Sequence, residues 1–136
     1  MPDGVEPEVS SSYWDNRARF KQLQESIDRF RYLQAGWDSY GTEAPNQASI
    51  RGAIQILKSL EAESFPPNRI RPSAEGGIAI SFANDRRRGD FEVYNTGEVV
   101  ASVYRTDQPT SADVWEIDPK GTGILAAAQK IREYLS

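Results

Sequence analysis

Neither cysteine nor histidine occurs in the 136 residues of this chain. The first absence excludes disulfides, thiolate nucleophiles and cysteine-ligated zinc or iron–sulfur sites. The second removes the usual general base at neutral pH, the commonest metal ligand, and both the Ser-His and Cys-His nucleophile arrangements. Any chemistry would have to run on carboxylates, Lys, Tyr or Arg, so catalysis is disfavoured and no metal or other cofactor is expected. Long apolar runs are missing too, and nothing approaches the roughly 18 residues that a membrane span requires. The start, Met1-Pro2-Asp3-Gly4-Val5-Glu6-Pro7-Glu8, has neither the basic nor the apolar region of a signal peptide. A cytoplasmic protein with no membrane partner is the expectation. Nor is positive charge in excess: the formal net charge is −4 and the pI about 4.9, which argues against a general nucleic-acid coat.

What is present reads as a folded protein. Hydrophobic residues make up 38% and charged residues 26%, close to globular values, and the length suits one domain with its own core. Residues 1–9, acidic and rich in Pro and Gly, are expected to form a flexible tail ahead of a single domain over 10–136. Ser10 to Ser12 offer N-cap oxygens for a first helix, in which Phe20, Leu23, Ile27 and Phe30 recur at helical spacing up to Gly36. Pro45 and Asn46 open a second helix with Ile50, Ile54 and Leu57 on its apolar face, stopped by Pro66-Pro67.

From there the period changes to two. A short edge strand is expected around Ile70, then a strand with Ile78, Ile80 and Phe82 on one face, a polar loop over 84–89, and a strand over 91–94. Asn95-Thr96-Gly97 turns the chain into a strand over 99–104, and a last strand runs over 114–117 after a loop. Thr122 is placed to cap a final helix with Ile124, Ala127, Ala128, Ile131 and Leu135 facing inward. The fold class is therefore α+β: an N-terminal αα-hairpin, an antiparallel meander of four to five strands, and a C-terminal helix on the same sheet face.

Gly36-Trp37-Asp38-Ser39-Tyr40-Gly41 is the stretch that joins the first two helices. Trp37, Asp38 and Tyr40 are read as a structural hinge, the aromatics pressing the corner against the sheet and Asp38 tying down backbone N–H groups. An aromatic-walled acid could also serve as a general acid, so a carboxylate-dependent enzyme is a third functional reading. This hexapeptide, followed by Ala44-Pro45, a helix with Ala53 and Leu57, and Pro72-Ser73-Ala74-Glu75-Gly76-Gly77-Ile78, resembles a pattern recurring in small uncharacterised bacterial and phage-associated proteins. It covers residues 36 to 82, with Ala83 standing where that pattern has an aromatic. The resemblance implies a prokaryotic or phage cytosolic protein and transfers no catalytic residue.

Two sets of side chains remain as binding candidates. Tyr13, Trp14, Tyr32, Tyr94 and Tyr104 are aromatics beyond the needs of the core stripes, and Trp and Tyr are the usual anchors of protein interfaces. Of these, Trp14, Tyr32, Tyr94 and Tyr104 are taken as candidate contacts in a non-enzymatic domain that inhibits or neutralises a larger protein partner, in the manner of an antitoxin, immunity or anti-defence protein. Arg86, Arg87 and Arg88, on a loop flanked by Asp85 and Asp90, carry the alternative: guanidiniums clamping phosphates while Tyr94 and Tyr104 stack bases. A homodimer through an exposed sheet edge is a further candidate assembly. The acids Glu61, Glu63, Asp113, Glu116 and Asp118 show no spacing that implies convergence on magnesium. Gly121-Thr122-Gly123 lacks the Lys-Ser or Lys-Thr pair of a nucleotide-binding loop.

Overall fold

A computed structural model describes residues 11–120 and 122–136; the expected tail over 1–9 lies outside them. Helix α1 spans Ser11–Arg29 and tightens into a 3-10 turn over Phe30–Tyr32. Its apolar stripe behaves as the spacing demands, with Phe20, Leu23 and Ile27 buried and Phe30 packed at the margin. The helical run stops at Tyr32, three residues short of Gly36, because Leu33 is extended. Helix α2 covers Gln47–Ala62 and buries Ile50, Ala53, Ile56, Leu57 and Leu60.

The start of α2 is held twice. Asn46 accepts from the Ser49 backbone N–H at 3.0 Å while Ser49 Oγ accepts from the Asn46 N–H at 3.1 Å, a reciprocal capping box. The pair is then tied to the sheet by Asn95, whose Oδ1 accepts from Ser49 Oγ at 2.8 Å and whose Nδ2 donates to the Ala44 carbonyl at 3.0 Å. These bonds explain why a serine can be fully buried in α2.

Five antiparallel strands follow in the spatial order of the chain: β1 Arg69–Pro72, β2 Gly77–Asn84, β3 Arg87–Tyr94, β4 Val99–Arg105 and β5 Gln108–Ile117. Helix α3, Gly123–Leu135, packs on the sheet and shares one core with α1 and α2. Ile78, Ile80, Phe82, Phe91, Val93, Val99, Ala101 and Val103 fill that core from the sheet side, and Phe82 meets Phe65 stacked at 4.4 Å. Glycine is required at two close approaches, one between helix and sheet and one between neighbouring strands. A Cβ on Gly89 would sit 2.5 Å from Ile131 Cγ2, and one on Gly77, at φ +133, would sit 2.0 Å from the Val93 carbonyl oxygen.

Three local expectations change. The polar loop over 84–89 is a two-residue turn, Asp85-Arg86, because Asn84 and Arg87 still pair across the ladder and both bond the last carbonyls of α3. Strand β5 begins at Gln108 rather than Val114: after an irregularity at Val103/Arg105, Arg105 pairs with Gln108, so the β4 ladder extends an edge that its side chains do not mark. Thr122 starts α3 without a side-chain cap bond. The chain therefore enters that helix through the backbone bond from Ala126 N–H to the Thr122 carbonyl at 3.0 Å.

Candidate functional site

Alternation along each strand sends a second set of side chains to the face opposite the helices. Register aligns them in rows: Arg71, Ala79, Glu92, Val100 and Glu116 form one, and Arg69, Ser81, Asp90, Ser102 and Val114 the next. Arg88 and Tyr104 pair directly at one end, while Tyr94 lies opposite Gly77 at the other. The core cluster contains none of these residues. Val114 is 61% exposed.

The electrostatics of this face come from partial burial without full pairing. Burial pushes the Glu92 carboxyl up, reinforced by Glu75 and Asp90, while a hydrogen bond donated by the buried Ser73 hydroxyl and the nearby Arg71 oppose the shift. Burial also raises both phenols, Tyr94 with Glu92, Glu75 and Glu98 behind it, and Tyr104 with Asp90 behind it against Arg88 and Arg71. Both tyrosines therefore stay neutral across the physiological range and keep an O–H to donate. The face can offer two aromatic edges, the Tyr94 hydroxyl and a mixed set of charges to a surface laid on it, the Tyr104 hydroxyl being hydrogen-bonded to Asp90.

The structure brings together two of the four aromatic candidates. Tyr94 and Tyr104 share the helix-free face, half-buried on adjacent strands. Tyr32 stands in the helical layer at the end of the 3-10 turn, 82% exposed. Trp14 lies in α1 with its side chain outside the described residues.

The three arginines are divided rather than clustered. Arg86 reaches Asp107 at 3.3 Å from the turn. Arg87 points to the helical side, where its Nη1 donates to the carbonyls of Tyr134 at 3.1 Å and Ser136 at 2.8 Å, satisfying the end of α3. Arg88 alone is on the helix-free face, donating to the Arg87 carbonyl at 3.0 Å. A single contiguous clamp of Arg86, Arg87 and Arg88 is not what the hairpin makes, because strand alternation separates neighbours by half a turn.

The hinge is likewise split. Asp38 does tie down backbone: its Oδ1 accepts from Tyr40 N–H at 3.0 Å and Thr42 N–H at 3.4 Å, and Thr42 Oγ1 donates to Oδ2. The Thr42 hydroxyl first, then the two amides, hold the Asp38 carboxyl below its ordinary value. The expectation that Trp37 and Tyr40 press the corner on the sheet is overturned. Tyr40 is 89% exposed, and Trp37 is half-buried with its indole N–H on the Glu43 carbonyl at 3.3 Å. The Asp38 turn curls the segment so that Tyr40 leaves the protein, and the contact with the sheet is made by Asn46, Ser49 and Asn95 instead.

Sequence reading passed over Glu92, Ser73 and Arg71, because the Ser73–Glu92 bond joins residues 19 positions apart. It also passed over Arg105, whose fork engages Asp107 through two contacts of 3.0 Å and holds that carboxyl at about 2. Alternating charge in β3 was the one available signal. Among the described residues no group of three or more Asp or Glu side chains converges as a metal site would, and Asp113 is engaged by Lys130 at 2.9 Å. No described helix is long and apolar enough to cross a membrane. Comparison with protein-family models, with curated proteins and with solved structures finds no match for this chain.

Proposed function

We propose that this is a non-enzymatic protein-binding domain that inhibits or neutralises a larger protein partner, and that the partner sits on the helix-free face of the sheet. The observation that carries the reading is the composition of that face: Tyr94 and Tyr104 frame Asp90, Glu92, Arg71 and Arg88, with Val100 and Val114 between and beside them. Neutral tyrosines with part of their surface outside the core are anchors of the kind that dominate interface energetics. Mixed charges around them set orientation and association rate more than affinity. Asp38, the acid best placed by sequence for catalysis, is bound to backbone amides and a threonine hydroxyl, so it serves the turn. A small domain with such a face acts on a partner by covering it.

The decisive experiment is capture of interacting proteins from the native host by the full chain, followed by the same capture with a Tyr94→Ala, Tyr104→Ala double variant. A stoichiometric partner that is retained by the natural chain and lost by the folded double variant is the expected result. Recovery of no stoichiometric partner, or undiminished capture by the double variant, would overturn the reading.

A further inference from the structure

We propose that the end of the sheet where β2 turns into β3 and β4 into β5 is a separate oxyanion pocket, shaped for the phosphate group of a small-molecule phosphomonoester. Ladder register places Arg87 of β3 directly opposite Arg105 of β4, with Arg86 next to it in the turn. Like charges directly opposite each other in an antiparallel pair are destabilising. The fold therefore carries a like-charged pair, offset on one side by the carbonyls at the end of α3 and on the other by Asp107. Against this pair lies a cavity of about 300 Å3, lined by Asn84, Asp85, Arg86, Arg87 and Arg105.

The guanidiniums are positioned from outside the cavity. Asp107 holds the Arg105 fork at 3.0 Å through both nitrogens and takes Arg86 Nη1 at 3.3 Å. Arg87 is anchored by the two backbone carbonyls at the end of α3 through a single nitrogen, Nη1. Each guanidinium carries five N–H donors, so Arg86 and Arg87 retain donors for a ligand. Around the cavity, Arg86, Arg87 and Arg105 stand against Asp85 and Asp107, an excess of one positive charge in a protein whose formal net charge is −4. A phosphomonoester is drawn by that excess and offers oxygens to more than one planar fork. A carboxylate would repeat what Asp107 already supplies to Arg105. A nucleic-acid backbone needs charges along a track, whereas Arg88 turns to the other face and leaves a point site.

The pocket is independent of the partner-binding face, and amide NMR titration of the full chain separates the two. With phosphoserine at fixed ionic strength, saturable shifts confined to residues 84–87 and 105–107 are expected. An Arg86→Gln, Arg105→Gln double variant should weaken the apparent affinity about tenfold or more while still melting cooperatively as a folded chain. Should that variant unfold, the single Arg86→Gln change, at a side chain 65% exposed, carries the same expectation of weakened binding. Shifts that fail to saturate, that spread over the surface or that the variants leave unchanged would overturn the site. Equal saturable binding of inorganic sulfate would reduce it to general anion attraction and overturn the phosphate assignment. Tighter binding of a single-stranded oligonucleotide, with shifts reaching Arg88 and Tyr104, would overturn it in favour of nucleic acid.

Discussion

On one side of β3, Gly89, Phe91 and Val93 are buried beneath the helices; on the other, Arg88, Asp90, Glu92 and Tyr94 remain half-buried with no described helix over them. The same eight residues thus build two surfaces under opposite rules. The covered side is set by volume, to the point that a single methyl at Gly89 would collide with Ile131. The uncovered side keeps ionisable groups partly out of water, which shifts Glu92, Tyr94 and Tyr104 upward without being needed to close the core. A fold that required only solubility could fill those positions with Thr or Lys. The difference is why the helix-free face carries the functional proposal.

Truncating one aromatic on each side should give the largest difference between the two faces. Phe91→Ala, at a fully buried ring set edge-on to Phe82 at 6.2 Å, should cost about 3–5 kcal/mol in urea unfolding. Tyr104→Ala should stay within about 1 kcal/mol. Equal losses would mean that the two faces share one energetic role. Next in size is Asn95→Ala, which strips the bonds to Asn46, Ser49 and Ala44 from the junction of α2 and sheet. A loss of about 2 kcal/mol is expected, with amide exchange rising at the start of α2. Trp37→Ala should cost about 1–2 kcal/mol, since the indole is half-buried and outside the core cluster. A loss as large as that of Phe91→Ala would restore the hinge as the keystone of the corner.

The smallest effect is one of pH, and its sign separates the uncovered face from the turns. Glu92 has a folded value raised above 4.5, so folding favours its protonated form. That contribution is fully present below the unfolded value and is lost as pH rises through the folded one. Glu92→Gln should remove this loss, leaving the variant equal to the natural chain in acid and relatively more stable near neutrality in pH-dependent thermal melts. Asp107 runs the other way: lowered from 3.8 to about 2, its contribution is present above 3.8 and vanishes as pH falls towards about 2. Asp107→Asn should therefore flatten the acid limb. If both variants change the melts in the same direction, the assignment of opposite environments fails.

Much of the architecture was legible in the chain because periodicity reports burial directly. The spacing of Phe20, Leu23 and Ile27, the alternation of Ile78, Ile80 and Phe82, and the Asn-Thr-Gly turn each name an element and its inward face. The extra length of β5 was illegible, since residues 108–113 are drawn into the sheet by backbone pairing with β4 and carry no apolar alternation. The candidate site was half legible: Tyr94 and Tyr104 stood out as surplus aromatics, whereas Glu92 and Arg71 acquire meaning only beside them. The hinge was misjudged for the same reason, because a tryptophan and a tyrosine near a glycine look like core until a turn decides which way they point.

By itself, then, the sequence determined the α+β class, the order of elements, the core stripes and the absence of His- or Cys-based chemistry, all properties set by local period or composition. Only the tertiary structure decided that Arg86, Arg87 and Arg88 part company, that Arg87 meets Arg105, that Ser73 bonds Glu92 and that Tyr40 faces outward. Those outcomes depend on register between strands and on the ends of helices far away in the chain, and pairing across such distances is settled by the packed whole.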